Sequence, residues 1–271
     1  MKSDENMKKF DPAVTYSSYL KVEELLQLQS LRSAGPEHDE MLFIIVHQTY
    51  ELWFKCVLHE LSRAQQTLEL GDTYASLSVL GRVRTIFKVL VSQVDILETM
   101  TPLQFNSFRD RLEAASGFQS VQFRELEAVL GRRDPSMVDH LEPNSESQRR
   151  VLSAMNRPAI FDSVLVYLTK HNHKMPQEVM QRDMSQSYLA NELVQESLAN
   201  VYRNDAEVAM LLERLIDIDE GLQEWRYRHV KMVERTIGMK HGTGGSSGAA
   251  YLSSTLFKPV FPDLWAVRSH F

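Results

Sequence analysis

The chain has 271 residues, a net charge of −6 and no lysine- or arginine-rich block, which argues against a nucleic-acid partner. Apolar residues make up 43% and charged residues 24%, the balance of a globular protein with enough chain for a buried core. Cys56 is the single cysteine, so no disulfide framework can form within the chain, and a reducing compartment, the cytoplasm, is expected. There is no run of 18 apolar residues, and MKSDENMKKF lacks the apolar centre of a secretion signal, so no membrane association is expected. Glycines and prolines are few and alternating strand-like runs are scarce, so the expected class is all-α.

The first element, TYSSYLKVEELLQLQS, places Tyr16, Tyr19, Leu20, Val22 and Leu25 near helical spacing. A short amphipathic helix at a terminus is suited to packing on something beyond its own domain. Gly35 and Pro36 break it, and His38 or Asp39 is placed to cap the second helix. That helix, over 41–70, is apolar nearly all round at its start, as a fully buried helix must be. Phe43, His47, Tyr50, Phe54, Leu58 and Leu61 share one face, and the four-residue step from Phe43 to His47 lets both touch one object. His59 falls where this helix turns polar. A third helix is expected over 75–97 and a fourth from Pro102 to Gly117, with Phe105, Phe108, Arg109 and Leu112 on one side. FQSVQFRELEAVLG predicts a fifth, and residues 132–157 a surface excursion with one helix. Helices over 160–169 and 184–202 flank the turn NHKMP.

The stretch from Arg226 to Gly248 carries the chemistry. Leu211, Leu215, Ile218, Leu222, Trp225, His229 and Met232 succeed one another at steps of three and four, the stripe of a helix facing a core. His229 therefore occupies an apolar position. The helix stops at Gly238, and HGTGGSSG cannot be regular structure. A lone inward histidine is commonly a hydrogen-bonded core residue; beside a glycine segment, it also suits a buried cofactor under a closing loop. The aromatics of YLSSTLFKPVFPDLWAVRSHF predict a packed tail.

Several metal and phosphate patterns fail. HELSR has Arg63 where a zinc protease needs its second histidine, and no E-x-x-H pair exists for a di-iron bundle. No C-x-x-C-H is present for covalent haem attachment, and GTGGSSG lacks the Walker lysine. Cys56 as a haem thiolate is weaker than Cys56 as a small buried hydrophobe. Two inward histidines on two long helices, an arginine among aromatics, and a Gly/Ser/Thr segment remain.

HDEMLFIIVHQTYELWFK, FRDRLEAASGFQSVQFRE and RYRHVKMVERTIGMKHGTGGSSGAAYL closely resemble the tryptophan 2,3-dioxygenase family. YSSYL, RPAIFD, MPQEVMQRD and FPDLWAVRSHF are in register with it, so the resemblance runs from Phe10 to the end. It implies one all-helical domain over 1–271, one non-covalent haem b per subunit, O2 as co-substrate and a homotetramer. It also implies an arm, about residues 12–32, reaching a neighbouring subunit, with Tyr16, Tyr19 and Leu20 entering that subunit's site. His229 corresponds to the iron ligand and His47 to the distal histidine that meets the indole N–H. Phe43 matches the aromatic packed on the indole, and Arg109 the arginine gripping the substrate carboxylate. Thr243 matches the contact to the amino-acid end, and Ser116 a serine of the distal pocket. Phe105 lies on the pocket side where a tyrosine can occur in the family, and His241 adds a titratable group to the glycine segment. Trp225 and Arg226 lie near the ligand without an assigned role. The implied reaction is addition of both oxygen atoms across the indole 2,3-bond of L-tryptophan, giving N-formylkynurenine.

Three other readings share these residues. A relative in specialised metabolism could oxidise a methylated tryptophan or another indole, inserting one oxygen, because a methyl group changes pocket affinity by only about 1–3 kcal/mol. A non-catalytic haem sensor would need neither Arg109 nor Thr243. A helical interaction protein would bind no haem at all.

Overall fold

The computed structural model describes residues 13–35, 37–113, 115–240 and 249–271, and no strand occurs among them. The all-α expectation holds. Thr243 and His241 lie outside the described residues, as does Pro36.

The N-terminal segment forms two short helices, α1 (Tyr16–Leu20) and α2 (Val22–Leu25), rather than one. Lys21 separates them in the left-handed region, with φ 54°. Neither helix buries a residue, so nothing offsets the cost of a continuous helix here. The segment is tied down further on: the buried Glu40 carboxylate accepts the backbone N–H groups of Arg32 (2.7 Å) and Ser33 (3.0 Å), and Gln48 bonds Gln29 and the Leu28 carbonyl.

Helix α3 (Asp39–Leu70) spans 32 residues. His38 holds its cap position without a side-chain capping bond, and Asp39 and Glu40 place acidic charge in the first turn instead. Gly71 ends it at φ 79°, with Gly71 N–H to Leu68 C=O and Asp72 N–H to Thr67 C=O, a stop that a Cβ would strain. Asp72 then caps α4 (Thr73–Leu97) through the Ala75 N–H, so two residues reverse the chain. Length and composition alone would let α3 cross a bilayer. The expectation of a fully buried helix fails: α3 packs one face on α4 and α8, with Glu60 paired to Arg82 at 2.7 Å, while Met41, Ile45 and Leu52 on the other side are exposed.

Helix α5 (Pro102–Arg109) begins in a capping box between Thr101 and Gln104. It is shorter than expected: 3₁₀ turns succeed it at Asp110–Leu112 and Gly117–Gln119. Helix α6 (Val121–Val129) comes next, then a 3₁₀ turn at Pro135–Val138 and α7 (Glu146–Met155). This excursion has a small core of its own, in which Met137, Val151, Ala154 and Met155 pack on Ala128. The chain continues into α8 (Ile160–Lys170) and α9 (Gln177–Met180). Helix α10 (Glu192–Asn204) starts later than expected, because Asn191 caps it and residues 188–191 are drawn to the tail by the Asp263 carboxylate. Helix α11 (Ala206–Ile237) carries the expected stripe, and α12 (Ala249–Ser253) and α13 (Pro262–Ala266) form the tail.

The main core joins α3, α4, α8 and α11. Leu80, Val83, Phe87, Leu90 and Val94 of α4 meet Leu61 and Leu68 of α3 and Leu211, Leu215 and Leu222 of α11 in one buried cluster. Gly221 admits α4, since a Cβ there would come within 3.3 Å of Phe87. The tail packs as expected, with Phe261, Leu264 and Val267 buried. Buried Asp219 holds it by accepting N–H bonds from Val260, Phe261 and the Trp265 indole. Helices α3 and α11 both lie along α4 yet scarcely touch each other. The aromatic rings of Tyr50, Phe54, Phe123 and Trp225 bridge part of the gap, and the rest is open.

Candidate active site

That opening is a cavity of about 260 Å³. One water occupies roughly 10–15 Å³ of such space, so the void is far larger than solvent requires. Phe43 and His47 of α3, Phe105 and Arg109 of α5, Ser116, and Trp225 and His229 of α11 all face it. The structure therefore brings together six of the site residues expected from the sequence: Phe43, His47, Phe105, Arg109, Ser116 and His229. Tyr16, Tyr19 and Leu20 are not among its lining residues; Tyr16 and Tyr19 are 76% exposed on the N-terminal segment. Cys56 does not line the cavity, and His59 is exposed.

The α3–α5 wall is aromatic. Phe43 lies 4.1 Å from the His47 ring, and 5.7 and 5.6 Å from Phe105 and Phe108. His47 Nδ1 is 2.7 Å from the Phe43 carbonyl oxygen, one turn back along α3. A carbonyl only accepts, so Nδ1 carries the proton and donates, which leaves Nε2 as an acceptor. Burial holds the His47 pKa below its usual value, against the opposing effects of that bond and of Glu51.

His229 sits deep in the protein but keeps part of its ring free, because it faces the void. Burial, with His47 nearby, pushes its pKa down to about 4. At neutral pH it is an uncharged imidazole with a lone pair to give. Its ring lies parallel to the indole of Trp225, at 5.2 Å and 3°. No hydrogen bond to it occurs among the described residues, and the Trp225 indole N–H is likewise buried without a partner.

The opposite wall is ionic. Buried Glu127 on α6 meets Arg124 of the same helix, Arg132 at 2.9 Å and Arg226 at 3.6 Å. Three guanidinium groups on one carboxylate leave surplus positive charge at the cavity, and burial lowers the Arg226 pKa. Arg124 also lies over the Phe118 ring at 4.6 Å. Sequence reasoning missed Arg124, Glu127 and Arg132. The one signal for them was the i, i+3 placement of Arg124 and Glu127 on a mostly apolar helix.

These features suit haem. Among the described residues no three His, Cys, Asp or Glu side chains gather as a protein-built metal cage requires. A single neutral histidine fits an iron whose equatorial ligands come from a macrocycle. The apolar walls fit the macrocycle's faces, and the arginine cluster fits its two carboxylates.

A family model described as tryptophan 2,3-dioxygenase matches residues 1–146 and 198–271. The chain is similar to the tryptophan 2,3-dioxygenase of Herpetosiphon aurantiacus, 56% identical over 257 residues that cover 95% of this chain and 98% of that one. It is 57% identical to that of Anaeromyxobacter sp. strain K over 256 residues, 94% of this chain and 96% of that one. Similarity extends to the Caulobacter vibrioides protein, 41% identical over 259 residues, 94% and 98% of the two chains. A cavity with two neutral histidines on facing helices and similarity over nearly the whole length lead to one assignment: the chain belongs to the tryptophan 2,3-dioxygenase family.

Proposed function

We propose that this protein is a haem-dependent dioxygenase that adds both atoms of O2 across the indole 2,3-bond of L-tryptophan. The C2–C3 bond breaks and N-formylkynurenine forms, retaining every atom of both reactants. The observation that carries the reading is the pair of neutral histidines facing one cavity from α3 and α11. When bound, haem b supplies the ferrous iron at which O2 reacts, one haem per chain.

His229 ligates the iron through a ring nitrogen, and its low pKa keeps that nitrogen unprotonated. His47 accepts a hydrogen bond from the indole N–H at Nε2, because its Nδ1 proton is already committed to the Phe43 carbonyl. It positions rather than deprotonates, since an indole N–H is far too weak an acid for imidazole. Phe43 and Phe105 pack on the indole and exclude water. Arg109 takes the substrate carboxylate in two-pronged fashion, worth about 1.5–3 kcal/mol. Ser116 lines the cofactor side, with its Oγ accepting the Phe118 N–H at 3.3 Å. Thr243 contacts the amino-acid end of the substrate.

The chain forms one domain and assembles as a homotetramer in the cytoplasm. Its N-terminal arm, about residues 12–32, reaches a neighbouring subunit, where Tyr16, Tyr19 and Leu20 complete the site. Their exposure and the anchoring of residues 32–33 by Glu40 support this. The test is turnover of L-tryptophan with O2 by the reduced, haem-loaded protein, read by product mass. A gain of two oxygen atoms with ring opening is expected. A gain of one oxygen, or no product, overturns the reading.

A further inference from the structure

Rotation of a histidine ring about its Cβ–Cγ bond is soft, with broad wells and no strong preference. A histidine that binds metal is therefore usually steadied by a hydrogen bond from its far ring nitrogen to a carboxylate or a carbonyl. No such bond to His229 occurs among the described residues. What meets its ring is Trp225. The two residues lie four apart on α11, one turn of helix, and their rings are parallel to 3° with centroids 5.2 Å apart. Parallel planes at that separation form an offset stack, a favoured arrangement of aromatic rings.

Trp225 is itself held. It is buried, and the rings of Tyr50 and Phe54 meet it edge on, at 66° and 88°, each with centroids 6.3 Å away. Phe123 lies at 5.0 Å. Helices α3 and α6 thus pin an indole that belongs to α11. Tyr50 is anchored in turn, because its O–H donates to the Leu90 carbonyl of α4 at 2.9 Å inside the core. Burial pushes the Tyr50 pKa up to about 12. The Trp225 N–H opposes that rise from beside the phenol oxygen, although it makes no hydrogen bond of full geometry. The order of contacts runs from the α4 backbone at Leu90, through Tyr50 and Trp225, to the His229 ring that faces the cavity.

We propose that Trp225 is the positioning residue of the iron ligand, its indole face setting the rotation of the His229 ring and the Tyr50 phenol fixing the indole. This inference rests on the haem reading of the cavity. A carboxylate partner would steady the imidazole and also draw on its N–H proton, making it a stronger donor. A stacked indole steadies the ring without adding charge. His229 is then presented in one plane as a neutral ligand, the form suited to ferrous haem that takes up O2.

Two substitutions separate a flat face from mere bulk. Trp225→Phe keeps an aromatic face, whereas Trp225→Met fills similar space without one. The reduced, haem-loaded, full-length protein is read by its iron–histidine stretching band in resonance Raman spectra, and by the rate of haem transfer to excess apomyoglobin. Wild type is expected to give one narrow band, absent from His229→Ala. Trp225→Phe is expected to keep that band and release haem at near the wild-type rate. Trp225→Met is expected to shift and broaden the band and to release haem roughly tenfold faster or more. If Trp225→Met takes up no haem, Tyr50→Phe decides, since it keeps its ring and loses only the phenol oxygen: a broadened band supports the proposal and a wild-type band overturns it. A wild-type band in Trp225→Met, or equal changes in the Phe and Met variants, overturns the proposal and leaves the cofactor reading standing. A wild-type protein without an iron–histidine band overturns both.

Discussion

The α3–α5 wall of the cavity that holds both histidines is aromatic beside His47, whereas the facing α6 side, with Arg226, is a knot of arginines on one glutamate. The first wall works by desolvation. Burial outweighs the opposing pull of Glu51 and keeps His47 neutral, and a single backbone carbonyl then decides which nitrogen holds the proton. The second wall works by excess, gathering charges whose mutual repulsion is tolerable only with an anion among them. The difference separates the tasks of one void: rings and oxygen chemistry on one side, carboxylates on the other.

The largest expected effect is at the residue between the walls. His229→Ala removes the proposed iron ligand and is expected to abolish stable haem binding, read as loss of the Soret band; full retention of haem would sink the ligand assignment. Glu127→Gln leaves three arginines without their shared counter-charge. A loss of about 3–5 kcal/mol is expected in denaturant unfolding, and an unchanged midpoint would mean that solvent, not Glu127, compensates them.

Acid should attack the neutral wall. The folded pKa values of His47 and His229 lie below their unfolded values, so between about pH 6.5 and pH 4 the unfolded chain binds more protons. Their contribution is complete above that window and lost as pH falls through it, by on the order of 3 kcal/mol at most for His229. Haem-free protein melted across this range should show the decline, and His229→Ala should flatten it. If both slopes are equal, His229 is not the group responsible.

Arg109→Ala is expected to weaken tryptophan by about 1.5–3 kcal/mol while leaving indole, which has no carboxylate, nearly unchanged; equal losses for both ligands would refute the carboxylate role. His47→Ala removes one positioning hydrogen bond, about 0.5–1.5 kcal/mol in kcat/KM. With a substrate methylated at the indole nitrogen, wild type and variant should converge. A persistent gap would give His47 some task beyond meeting the N–H.

The helices were largely legible because their signals are local. The steps of three and four from Leu211 to Met232 were enough to turn His229 inward, and the step from Phe43 to His47 was enough to pair them. Errors fell where distant partners intervene. Residues 184–191 have helical spacing yet are held out of α10 by Asp263 of the tail, and α5 gives way after Arg109 to 3₁₀ turns that carry Ser116 to the cavity.

By itself the sequence determined the class of the fold, the two inward histidines and the family, because periodicity and long motifs are written along the chain. Only the tertiary structure decided that Glu127 would be buried among three arginines and that α3 and α11 would part around α4. Arginine and glutamate are surface residues by default. Whether one is buried, paired or left in surplus depends on the groups that pack over it, and Arg133 and Arg157, or Arg226 and Glu127, meet only once the chain has folded.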